Sequence, residues 1–164
     1  MSTAVLNTVT KKTSKDEAEI KALIAGIHKA HYKKDAAAIA APFTSDAAIF
    51  DLAPPLMHRG MDIAEKKAWM DTWDGPIECD SYDLNITVSG DSAFCHGYFR
   101  LAGTPKMAGR RVDFWMRATV CLARVDGGWK IVHEHTSVPF YMDGSLRPAF
   151  DLVPDSVSGR LLNC

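Results

Sequence analysis

The chain has 164 residues, of which 47% are hydrophobic and 24% charged, and its formal net charge is -1. That length suits a single domain with a core of its own, and the charge balance speaks against a nucleic-acid or anionic-membrane partner. No apolar run approaches membrane-spanning length, and the polar start lacks the apolar segment of a secretory leader, so a cytoplasmic protein is expected. The four cysteines, Cys79, Cys95, Cys121 and Cys164, form no closely spaced pair. Neither a structural zinc site nor a disulfide framework is implied.

Residues 1–15 are rich in Thr and Lys and read as a flexible arm. Ser14 and Glu17 have the spacing of a capping box, and Ile20, Leu23, Ile24, Ile27 and Tyr32 give a helical stripe in a helix running to about Lys33. Asp35 is placed to cap a short helix, Ala36–Ala41, before Pro42. Ala47–Phe50 reads as a short strand ending at Asp51, and the Pro54-Pro55 stretch as a loop. Asp62 can cap a third helix reaching about Trp73, with Gly75-Pro76 stopping it. Four long strands follow, near Ile77–Val88, Ser92–Ala102, Arg110–Val125 and Trp129–Phe140, joined by Gly90-Asp91, residues 103–109 and Asp126-Gly127-Gly128. Helices first and strands second predict an α+β fold. Three helices would pack on a curved antiparallel sheet, and strands of this length must twist enough to enclose a pocket. Residues 16–143 form the predicted domain and residues 144–164 a tail without clear period.

The hairpin from Trp115 through Asp126-Gly-Gly-Trp-Lys-Ile-Val-His-Glu-His-Thr-Ser-Val-Pro139, together with residues 50–56, His58-Arg-Gly60 and Trp73-Asp-Gly-Pro-Ile77, resembles the NTF2-like superfamily. Within it the pattern is most similar to the SnoaL-like, ketosteroid-isomerase-related group. The resemblance implies an NTF2-like cone, no bound cofactor or metal, a small-molecule ligand and a homodimer built on the outer sheet face. It also aligns Phe43, Asp46-Ala47 and Asp51 with the isomerase segment that ends in the general base. The isomerase helix tyrosine aligns near Ile27, with His28 and His31 close by, and the second oxyanion acid aligns near Cys121. Neither oxyanion donor is therefore present.

The candidate catalytic residues are Asp51, His96 and Arg117. The candidate ligand-binding residues are His58, Trp69, Trp73, Tyr98, Arg100, Trp115, Glu134 and His135. Asp51 either shuttles a proton at the pocket mouth or caps its loop through backbone N–H groups. His96, Tyr98 and Arg100 alternate on one strand and share a face, which the isomerase alignment turns toward the cavity. Arg100 then binds a ligand oxygen, or else sits in a surface ion pair. Arg117 needs a carboxylate, with Asp51, Asp113 and Glu134 as candidates, and its role is either ligand binding or a structural salt bridge. His133-Glu134-His135 splits across two sheet faces. Glu134 and Thr136 point inward in one register and the histidines in the register one residue away. Trp69 and Trp73, four apart on the predicted third helix, are core residues or an apolar ligand wall. Two functions remain. One is a cofactor-independent isomerase, cyclase or dehydratase acting on a small apolar carbonyl compound. The other is a non-catalytic binding or oligomerisation domain.

Overall fold

The computed structural model describes the backbone of residues 2–155 and the side chains of residues 15–155. Its elements are α1 (Ser2–Lys33), α2 (Ala36–Ala40), β1 (Phe43–Phe50), β2 (His58–Arg59), α3 (Ile63–Asp71), β3 (Trp73–Ser89), β4 (Ser92–Pro105), β5 (Val112–Val125) and β6 (Gly128–Ser137). The predicted three helices, short strand and four long strands are all present, and a two-residue strand, β2, forms in addition at the end of the stretch expected to be a loop. The caps at Asp35 and Asp62 also hold: their carboxylates accept from the N–H groups of Ala38 at 3.0 Å and Glu65 at 2.9 Å.

Three expectations are corrected. Helix α1 runs through Ser14, so the capping box there does not start it; no Gly or Pro interrupts residues 2–25 to break the backbone ladder. Helix α3 stops at Asp71, and Trp73 belongs to β3, so Gly75-Pro76 lies inside a strand instead of ending a helix. A register shift between Asp74 and Glu78 accommodates the proline there. The sheet is mixed, because β1 pairs parallel with β6 in the strand order β2-β1-β6-β5-β4-β3. Cys164 and residues 156–163 of the predicted tail lie outside the described residues.

Helix α1 packs on the concave face of the sheet. Ile20, Ile24 and Ile27 lie against β3 and share one buried cluster with Ile77 of β3 and with Ala93, Cys95, Val120, Leu122 and Ile131 from β4, β5 and β6. A second tie comes from Asp16, whose carboxylate is 2.6 Å from Arg124 Nη2, while that guanidinium lies 4.4 Å over the Trp129 ring. The start of the packed part of α1 is thereby fastened to the β5–β6 hairpin.

The curvature that opens the concave face has a local cause. Strand β3 carries a bulge between Tyr82 and Asn85, where Asp83 has φ 52°. Gly97 on β4 faces that bulge, and a Cβ there would lie 2.9 Å from Tyr82 O and 3.1 Å from Leu84 Cα. Both obstacles are backbone and cannot rotate away. Gly97→Ala is therefore expected to cost about 1–3 kcal/mol through overpacking, read as a lowered midpoint in urea or thermal unfolding. An unchanged midpoint would show that this approach is not tight.

Candidate functional site

The concave face is filled at one end and open at the other. Toward the β5–β6 turn, the inward residues Cys95, Val120, Leu122 and Ile131 have almost no accessible surface. Toward the other end the inward residues Cys79, Phe99, Leu101, Phe114, Met116 and Glu134 all keep some. The helices contribute His28 and His31 from α1 and Lys66 and Trp69 from α3, again only partly buried. Inward-facing side chains that keep some surface make this the less tightly filled end of the concave face, the candidate hollow. The C-terminal segment folds back over one side of it: Phe150 packs on Phe114 at 4.7 Å, and Ala149 N donates to Pro139 O at 2.8 Å.

Register decides which part of His133-Glu134-His135 faces this hollow. Glu134 pairs with Val120 on β5 and Ile49 on β1, both buried inward-facing residues. Glu134 and Thr136 therefore point inward. His133 and His135 point outward, stacking against Phe50 at 4.9 and 5.6 Å, and His133 Nδ1 donates to Ala48 O at 2.7 Å. The binding role expected for His135 is corrected by this placement on the convex side.

Glu134 is the most perturbed acid of the site. Burial pushes its carboxyl up to about 7, the negative charge of Asp51 adds to the rise, and Lys66 opposes it. Among the described residues no side chain hydrogen-bonds this carboxyl, so the hollow holds a proton donor that is half ionised near neutral pH. His31 completes the polar set. Its Nδ1–H donates to Ile27 O at 3.0 Å, which leaves Nε2 as an acceptor. Burial first, then Lys66, brings its pKa down to about 4, so it stays neutral at pH 7. His28, edge-on to Phe99 at 5.3 Å, is lowered by burial as well. Burial pushes the Cys79 thiol up to about 12 and keeps it uncharged. Trp69 lies 5.6 Å from Trp73 and 6.2 Å from His31, so the two indoles meet as expected although they belong to a helix and a strand.

Other sequence candidates fall elsewhere. Asp51 is exposed at the end of β1, and its Oδ1 accepts from Leu52 N at 2.7 Å, which is the loop-capping alternative. It reaches the site only through its charge on Glu134. His58 pairs with Ile49 at the rim and faces Glu65 at 3.8 Å. His96, Tyr98, Arg100, Trp115 and Arg117 all lie on the convex face, because Cys95, Phe99, Leu101, Ala118 and Val120 take the inward positions of β4 and β5. The cavity-facing placement expected for His96, Tyr98 and Arg100 is therefore corrected. Arg100 is held by both oxygens of Asp113 and by Asp80 at 3.1 Å, and Arg111 pairs with Glu78 at 2.6 Å beside it. Arg117 is exposed and, among the described residues, pairs with none of its three expected carboxylates. The sequence reading passed over Lys66 and gave His31 no role; a lysine one helical turn before Trp69 was the available signal for the first.

The site makes stability depend on pH in two opposing ways. Glu134 keeps its proton to about 7 when folded against 4.5 when unfolded, so the folded state binds more protons between those values and stability falls as pH rises. His31, neutral down to about 4 when folded against 6.5 unfolded, makes stability rise with pH over that interval. The two slopes oppose each other where they overlap. Glu134→Gln removes the first, and the variant is expected to match the wild type at pH 4 and exceed it by about 3 kcal/mol at pH 8 in urea unfolding. Equal stability at pH 8 would mean that Glu134 ionises there without penalty.

The fold has counterparts among solved structures. A SnoaL-like domain family model matches residues 20–141. An NTF2-like protein of unknown function from Pseudomonas putida KT2440 is 31% identical, with a TM-score of 0.75, over 87% of this chain and 98% of that one. A protein from Novosphingobium aromaticivorans provisionally called a scytalone dehydratase superposes with a TM-score of 0.71 at 16% identity, over 85% of this chain and 95% of that one. An NTF2-like superfamily protein from Salmonella enterica superposes with a TM-score of 0.69 at 19% identity, over 81% and 97% of the two chains. Among curated proteins none matches. The convex and concave faces described above are thus those of an NTF2-like cone, and the chain belongs to the SnoaL-like family.

Proposed function

We propose that the protein is a cofactor-independent isomerase or dehydratase in which Glu134, not Asp51, moves the proton. The observation that carries this reading is an unpartnered carboxyl, set inside an apolar hollow, whose pKa of about 7 lets it accept and return a proton at neutral pH. As carboxylate, Glu134 removes a proton alpha to a carbonyl. As acid, it returns that proton either to a second carbon, which shifts a double bond, or to a β-hydroxyl, which leaves as water while the C=C bond forms. Trp69, Trp73, Phe99 and Leu101 provide apolar walls that keep water from the carboxylate. His31 Nε2 accepts a hydrogen bond from a substrate hydroxyl. The provisional dehydratase name of the Novosphingobium relative is compatible with this chemistry. The homodimer implied by the resemblance would use the convex face, where Phe50, Phe94 and Tyr98 stay exposed.

The reading is tested by α-proton exchange of cyclic ketones such as 2-tetralone in deuterated buffer, followed by NMR. Wild-type exchange is expected to rise with pH through about 7, as Glu134 ionises. Glu134→Gln is expected to lose about 10²–10⁴-fold, the usual contribution of a general base, whereas Asp51→Asn retains most of the rate. Exchange surviving in Glu134→Gln would assign the base elsewhere. No exchange by the wild type on any ketone of the series would favour a ligand-binding domain.

A further inference from the structure

Helix α3 points one cation at the hollow. Lys66 is partly buried, its Nζ lies 4.6 Å over the Trp69 ring, and its charge acts on Glu134 of β6, His31 of α1 and Cys79 of β3. Three elements thus converge on one ammonium. Its neighbours on α3 are satisfied differently: Lys67 pairs with Asp71 at 2.8 Å on the exposed side, and Glu65 faces His58. Among the described residues Lys66 has no ion pair. An indole face holds an ammonium in place without neutralising it. A half-buried cation so placed has no carboxylate partner of its own among the described residues.

We propose that Lys66 is the anion-binding group of the hollow, and that the ligand is a small aromatic or alicyclic ring compound bearing one carboxylate. The ring lies against Trp69, Trp73, Phe99 and Leu101, and the carboxylate seats on Lys66 Nζ. This proposal rests on the hollow being the ligand site, but not on Glu134 being a catalyst. It makes Lys66 a specificity determinant that fixes which atom of the ring approaches Glu134. Lysine serves here as a point charge on a flexible stem, so it suits a single oxyanion without demanding a bidentate partner.

The groups facing the proposed carboxylate are Lys66 from α3, His28 and His31 from α1, Cys79 from β3 and Glu134 from β6, with the charge of Asp51 acting on Glu134 from the rim. With His31 and the thiol uncharged near neutrality and burial favouring the neutral form of His28, Glu134 is the acid whose pKa falls between pH 6 and 8. A bound carboxylate and an ionised Glu134 repel each other, so binding is tighter at the acid end and draws a proton onto Glu134.

Isothermal titration with benzoate, cyclohexanecarboxylate and 1-naphthoate, each set against its neutral amide, tests this. At pH 6 the wild type is expected to prefer at least one acid over its amide by about tenfold or more, as a single desolvated charge pair allows. Lys66→Met should abolish the preference while leaving amide binding in place, and Lys66→Arg should keep it. Moving to pH 8 should weaken acid binding in the wild type but not in Glu134→Gln. Equal affinity for every acid and its amide, failure of all three acids to bind, or a preference that survives Lys66→Met would overturn the proposal. Loss of ketone exchange in Glu134→Gln with no acid preference in the wild type would retain the proton shuttle and reject the anion site.

Discussion

The site depends on the register of one strand. A register shift opposite Cys121 and Leu122 lets Ile131 and Glu134 share the concave face, and beyond it the side chains of β6 alternate with a period of two, so a slip of one residue would exchange Glu134 for His133 and His135 there. Two neighbours hold the register. Val120 on β5 and Ile49 on β1 are both buried opposite Glu134, and the His133 bond to Ala48 O locks the outward position next to it. Such a slip would turn Ile131 out of the core, at about 1.5–3 kcal/mol, and leave Ile49 and Val120 facing an imidazole. The core therefore forces an acid into a poorly solvated place, and the raised pKa is the consequence.

The charges around it are arranged so that little else titrates. Burial holds His31 in its neutral form, favours the neutral form of His28 and keeps the Cys79 thiol protonated. The Asp51 charge at the rim raises Glu134 further, and Lys66 restrains the rise. The convex face handles charge in the opposite way. Arg100 and Arg111 pair with Glu78, Asp80 and Asp113 in a solvated cluster. Such a cluster contributes little to stability and offers no unpaired group to a ligand.

Most of the architecture was legible in the sequence because it rests on local signals. The Asp35 and Asp62 caps, the Gly90-Asp91 and Asp126-Gly127-Gly128 turns and the alternation in the long strands mark themselves. The parallel partner of β6 did not, since pairing between residues 43–50 and 131–135 leaves no trace in either segment alone. The site was legible only in part. Glu134, Trp69 and Trp73 were singled out, with the face of Glu134 left as one of two registers. The alignment of Asp51 with a family base position followed spacing, but the carboxylate turns to its own loop N–H. His96, Tyr98 and Arg100 share a face as their spacing requires, yet which face is concave is set by Cys95 and Phe99 between them. Lys66 carries no signal of its own; its meaning arises only when α1, β3 and β6 meet around it.

The central claim is that the interior of this cone holds a carboxyl that titrates near neutrality, and it is measured most directly by carbon NMR of the Glu134 side-chain carboxyl across pH 4 to 9. A midpoint of about 7, lowered when Asp51 is replaced by Asn, is the expected result. A midpoint at or below 4.5 would place Glu134 in contact with solvent or a cation and would contradict the account.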